Sequence, residues 1–160
     1  MTVLLTIFTG FTVFVLGQVF IRLFVEPVQE LKKTIGSVQF TLSKLAYIIH
    51  NPDSFSSEEL TGVFKELREL SARLATDLSL VPCYEKTCRV FFLPDVNCVR
   101  KASKNIVAVS NWLTSKNSNQ FAHITKNVQE AHDNLKLYYP VDERISDHLL
   151  EQFFEQQPAT

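Results

Sequence analysis

Residues 1–49 read MTVLLTIFTGFTVFVLGQVFIRLFVEPVQELKKTIGSVQFTLSKLAYII, and two patterns meet inside this stretch. From Met1 to Ile21 no side chain carries a charge, and Gln18 is the only strongly polar one. As a helix rising about 1.5 Å per residue, this run spans roughly 30 Å, the thickness of a bilayer's hydrocarbon core. A secretory signal peptide carries basic residues before its apolar run and a small-x-small site after it. Here no Lys or Arg precedes Arg22, and Gly17-Gln18-Val19 is a poor cleavage site. The reading is a retained transmembrane anchor over residues 1–25. Arg22, Lys32 and Lys33 follow the apolar run, so the positive-inside rule places the rest of the chain in the cytoplasm. The absence of any Asn-x-Ser/Thr sequon agrees with that side.

The second pattern begins at Val28. Val28, Leu31, Ile35, Val38, Leu42, Leu45 and Ile49 alternate spacings of three and four, an a/d seam over three heptads. Phe24, Ile21, Gly17, Phe14 and Gly10 continue the same face back into the anchor, with Pro27 expected to kink it. Two readings of the seam follow. It packs inside the chain's own bundle, or it joins copies of the chain, with Gly10, Gly17, Val28, Leu31, Ile35, Val38, Leu42 and Leu45 as the assembly residues. Small residues at Gly10 and Gly17 would allow close approach of helices within lipid.

Further along, helical signals recur. Asn51-Pro52-Asp53 stops the first bundle helix, and Ser56 with Glu59 forms a capping box. A second helix is expected over 57–80, with Leu60, Val63, Leu67, Leu70, Leu74 and Leu78 inward. Residues 81–94, with two prolines, two cysteines and Val90-Phe91-Phe92-Leu93, read as an ordered loop or short extended segment. Asp95 caps a third helix over 96–115. A fourth is expected over 119–138 with Phe121, Ile124, Val128, Ala131, Leu135 and Tyr138 inward. Asp142 would cap a last amphipathic helix burying Ile145, Leu149 and Phe153. Period-two alternation is nearly absent, so the fold class is all-α: an N-terminal transmembrane helix, a cytosolic helical bundle over 26–139, and a C-terminal amphipathic helix and tail over 140–160.

Composition narrows the function classes. The 160 residues suit one compact domain, and 46% are hydrophobic. Sixteen basic against seventeen acidic residues exclude a globally basic nucleic-acid coat. Cys83, Cys88 and Cys98 follow C-x4-C-x9-C, which lacks the tight pairs and fourth ligand of a zinc site; no metal and no cofactor is expected. No Walker A loop, Gly-x-Ser-x-Gly elbow or His-Glu-x-x-His motif occurs, so the chain reads as a non-enzyme. The one basic cluster is Arg100, Lys101 and Lys104 with Asn105 beside them, Lys86 and Arg89 upstream, and Ser110 and Asn111 beyond. A solvated helix face explains such a run. The sharper reading is an anion site for a nucleotide, or contact with inner-leaflet lipid.

Glu26-Pro27-Val28-Gln29-Glu30, Ile35-Gly36, Asn51-Pro52 and Ala102-Ser103-Lys104-Asn105-Ile106-Val107-Ala108-Val109-Ser110-Asn111 follow the bare anchor in order. Over residues 1–115 this layout resembles small bacterial single-pass helical membrane proteins. It is similar in plan to the membrane effectors and accessory proteins of CRISPR defence. The resemblance implies a homo-oligomer in the bacterial inner membrane that opens a pore or disturbs the lipid. Its trigger would be a cyclic oligonucleotide or an RNA-guided nuclease complex. Arg144 and His148 form R-x3-H, one residue short of the R-x4–6-H of HEPN ribonucleases. Three readings result: a self-assembling antiviral membrane effector, an inner-membrane scaffold or adaptor binding a protein partner, and a tethered ribonuclease.

Overall fold

The computed structural model describes residues 2–115, 119–140, 144–146 and 148–150. Every regular element among them is helical. One unbroken helix runs over Thr2–His50. It comprises α1 (Thr2–Phe20), a π-helical turn (Ile21–Val25) and α2 (Glu26–His50). The π turn has a local cause. Pro27 has no N–H to donate, and its ring crowds the carbonyl one turn back. The Glu26 N–H therefore bonds five residues back to the Ile21 carbonyl, and the widened turn carries the helix past the proline.

A 3-10 turn at Pro52–Ser54 reverses the chain into α3 (Ser57–Leu80). The expected capping box opens α3: the Glu59 N–H donates to Ser56 Oγ, and the Ser56 N–H donates to Glu59 Oε2 at 2.9 Å. Next come α4 (Tyr84–Val90), α5 (Val96–Leu113) and α6 (Gln120–Leu135). Asp95 caps α5 by accepting from the Asn97 N–H at 2.8 Å.

Cross-helix bonds fix the topology. Thr34 meets Asp77 and Lys44 meets Glu66, so α2 and α3 are antiparallel. Ser71 meets Ser103 and Arg68 meets Asn111, so α3 and α5 are antiparallel. Asn105 meets Glu130 and Trp112 stacks on His123, which reverses α6 against α5. Gln39 meets the Tyr138 carbonyl and His50 lies beside Phe121, closing the ring from α6 back to α2. The result is an up-down-up-down four-helix bundle of α2, α3, α5 and α6. Its core runs from Val28 to Leu135 and takes in Leu67, Leu74, Ile106, Leu113 and Ile124.

Several expectations are corrected. Residues 84–90 form a helix, not a loop or extended segment: Tyr84, Thr87 and Cys88 supply a buried i, i+3, i+4 face. The third bundle helix ends at Leu113 and the fourth at Leu135. Phe121 and Tyr138 do not point inward, being 42% and 75% exposed. Ala122, Thr125, Gln129 and His132 complete the inner face of α6 instead. Leu150 is buried and Leu149 is not, the reverse of the expected last helix. Asp142 and Phe153 lie outside the described residues.

Candidate functional site

The first surface is α1. All its described residues are exposed, and it is the one helix among the described residues long and apolar enough to cross a membrane. Three of its four threonines bond their hydroxyls within the helix. The hydroxyls of Thr6, Thr9 and Thr12 donate to the carbonyls of Thr2, Leu5 and Phe8 at 3.0, 2.8 and 2.8 Å. Internal satisfaction of this kind is what hydrocarbon demands of a spanning helix. A Cβ added at Gly10 or Gly17 would meet nothing, so both backbones lie open to a neighbour.

The assembly seam sits elsewhere than on a free face. Val28, Leu31, Ile35, Val38, Leu42, Leu45 and Ile49 are all between 0% and 8% exposed within the single chain. The partners in that core are Val63, Leu67, Leu70, Leu74 and the inner faces of α5 and α6. Gly10 and Gly17 alone of the assembly residues remain exposed. What α2 does leave open is its opposite stripe: Phe40 and Tyr47, two turns apart, are 67% and 70% exposed.

The basic cluster is divided by the helix it sits on. Neighbouring residues on a helix point about 100° apart. Arg100 and Lys104 flank an open groove of 450 Å³ between α3 and α5, with Leu78, Tyr84, Val96 and Val99 on its walls. Lys101 is exposed outside that groove. Asn105 turns toward α6 and donates to Glu130 Oε2 at 3.1 Å. Asn111 accepts from Arg68 at 2.6 Å, and the Ser110 hydroxyl donates to the Val107 carbonyl at 2.7 Å. The polar groups expected to read a base or ribose are thus engaged in the fold. Burial pushes the Tyr84 phenol above its ordinary value, with Cys88, Asp95 and Cys98 adding to the effect. Its hydroxyl donates to the Pro94 carbonyl at 2.8 Å.

The remaining chemical candidates are dispersed. Arg144 makes a two-bond contact with Asp133, at 3.1 and 2.5 Å, which ties the segment after α6 to that helix. His148 is exposed. No group of three His, Cys, Asp or Glu able to hold a metal occurs among the described residues. Cys83 is exposed, Cys88 buried and Cys98 half-buried, all as free thiols. His132 is buried; its Nδ1–H donates to the Val128 carbonyl at 2.8 Å, and Tyr139 packs edge-on against the ring. Burial lowers its pKa below the ordinary 6.5.

Sequence reasoning passed over the turn after α4. Phe92 there is 91% exposed, and its φ of 55° lies in the left-handed region. The available signal was the inward spacing of Tyr84, Thr87, Cys88 and Phe91, which leaves Phe92 facing out. No family model, no curated protein and no solved structure matches the chain.

Proposed function

We propose that this chain is a membrane-anchored adaptor: α1 spans the bacterial inner membrane once, and the bundle holds a protein partner at the cytoplasmic surface. The observation that carries the reading is the division of labour along one helix. Its α1 segment, Thr2–Phe20, is exposed along its whole length and is apolar apart from its threonines and Gln18, while α2 buries its seam in its own bundle and keeps Phe40 and Tyr47 outward. Exposed aromatic pairs on a rigid helix are common anchors for protein partners. Arg22, Lys32 and Lys33 support the cytoplasmic side.

Two measurements test this. A reporter active only outside the cytoplasm, fused after Thr160, should be silent. A photo-reactive residue at position 40, crosslinked in intact cells, should give a discrete product whose added mass is not a multiple of the chain's own. A ladder of chain multiples would overturn the adaptor.

That ladder would favour the second reading, a self-assembling effector of antiviral defence. The observation on its side is the open backbone at Gly10 and Gly17. Assembly would then run through the anchor, since the seam residues would have to leave the core to serve it. In that case Gly10→Leu with Gly17→Leu should abolish the oligomer.

A further inference from the structure

We propose that the end of the bundle from which the anchor emerges docks on the bilayer surface, with Phe92 and Val90 seated in the interfacial layer and Lys86 and Arg89 at the lipid phosphates. This rests on the single-span reading of α1.

The placement follows from register. Thr34–Asp77 and Lys44–Glu66 run α3 back along α2, which brings Leu80 level with Leu31. The chain then crosses that end of the bundle. Val81, Tyr84, Cys88 and Leu93 join the same core as Val28 and Leu31. The α4 segment is therefore the bundle's anchor-side lid. Seven helical steps separate Ile21, the last of the uncharged run, from Val28, the first buried residue. At about 1.5 Å per residue they span about 10 Å. The headgroup layer on each side of a hydrocarbon core is about 5–8 Å deep. The first buried turn thus stands just beyond the headgroup layer, which leaves the outer side of a lid on that end within side-chain reach of the headgroups.

The lid's surface chemistry suits that layer. Its inner side is Tyr84, Thr87 and Cys88; its outer side offers Lys86, Arg89, Val90 and Phe92, with Cys83 and the single carboxylate of Glu85 also exposed. Val90 is 70% exposed and Phe92 91%. Aromatic rings favour the membrane–water interface, and basic side chains the anionic phosphates beside it.

The backbone supplies an independent argument. The Leu93 N–H donates to the Cys88 carbonyl at 2.9 Å, so α4 ends in a Schellman turn with Phe92 at its left-handed position. Glycine usually stands there, because a side chain in that conformation costs about 1 kcal/mol or more. At Phe92 the ring recovers almost none of that through burial in its own chain. Insertion into the interface supplies the missing contact.

The test uses full-length protein in vesicles of phosphatidylcholine and phosphatidylglycerol containing lipids brominated on the acyl chains, which quench nearby tryptophan. Trp112 is the only tryptophan and sits near the end of α5 remote from the anchor, so the wild type should not be quenched. In a Trp112→Phe background, Phe92→Trp should be quenched and blue-shifted, and Phe14→Trp should be quenched more strongly. Circular dichroism checks that each variant keeps its helix content. Lys86→Glu with Arg89→Glu should weaken the quenching at position 92; unchanged quenching would overturn the role given to the basic pair. Quenching at position 14 with water-like emission at position 92 would overturn the docking and leave the anchor standing. No quenching at position 14 would overturn the anchor itself.

Discussion

Val38→Asp separates a seam that builds the chain's own core from one that joins copies. Val38 is fully buried, midway along α2. Removing a buried valine forfeits about 1.5–3 kcal/mol of apolar burial. The carboxyl that replaces it meets no solvent. Burial raises such a group's pKa by up to about 3–5 units, at about 1.4 kcal/mol per unit, so holding it neutral at pH 7 costs about 4 kcal/mol. The sum, about 6 kcal/mol, is comparable to the whole stability of a small domain, about 5–15 kcal/mol. The bundle should therefore lose its cooperative melting transition in mild detergent, while α1 keeps its helicity. Leu42→Ala grades the effect. Leu42 is 3% exposed, and its truncation should cost about 2–5 kcal/mol. Each kcal/mol lowers the midpoint of a domain this size by about 4 °C, so a drop of about 8 °C is the least expected. Circular dichroism reads the melting, and light scattering reads the mass of the protein in its micelle. A Val38→Asp protein that melts like wild type but scatters as a smaller particle would refute the reasoning.

Three further outcomes follow from local features. His132 is buried and its pKa is lowered, chiefly by desolvation, so the unfolded chain binds the proton first as pH falls. Its contribution is complete above 6.5 and lost as the pH drops from there toward its lower folded value. His132→Phe should flatten that part of the stability–pH curve in chemical denaturation. The residual slope belongs to the less buried His123, which burial and Lys126 also lower. Lys136 ends α6 at φ 55°, with the Leu137 N–H donating to the His132 carbonyl, so Lys136→Gly should stabilise the bundle by about 1 kcal/mol in the same assay. Thr125 is 1% exposed, and its hydroxyl has no partner among the described residues. Thr125→Val should raise stability by about 1 kcal/mol, since the isostere removes an unsatisfied polar atom.

Local pattern decided a good deal. The uncharged run before Arg22, the heptad spacing from Val28 to Ile49, the Ser56–Glu59 box and the Asp95 cap are all nearest-neighbour information. Each reappears as an element, with α3 starting and ending as expected. Such features are legible because helix periodicity and capping are satisfied within a turn or two of the residue concerned. Burial is settled across the fold, and there the pattern was ambiguous. An a/d seam looks alike whether a copy or the chain itself fills it, and only the closing of α3, α5 and α6 around α2 buries Val38 and Leu42 from within. The same closure left Phe121 outside and brought Thr125 and His132 inside, because α6 turns its face according to where α2 and α5 stand. It also divided Arg100 and Lys104 from Lys101 and Asn105, four neighbours in sequence that face different helices. Phe92 is the sharpest instance. Its Val-Phe-Phe-Leu run reads only as loop or short extended segment, which assigns Phe92 no side; the Schellman turn that ends α4 sends Leu93 inward and leaves Phe92 out, a choice made by backbone geometry and the packing of the lid.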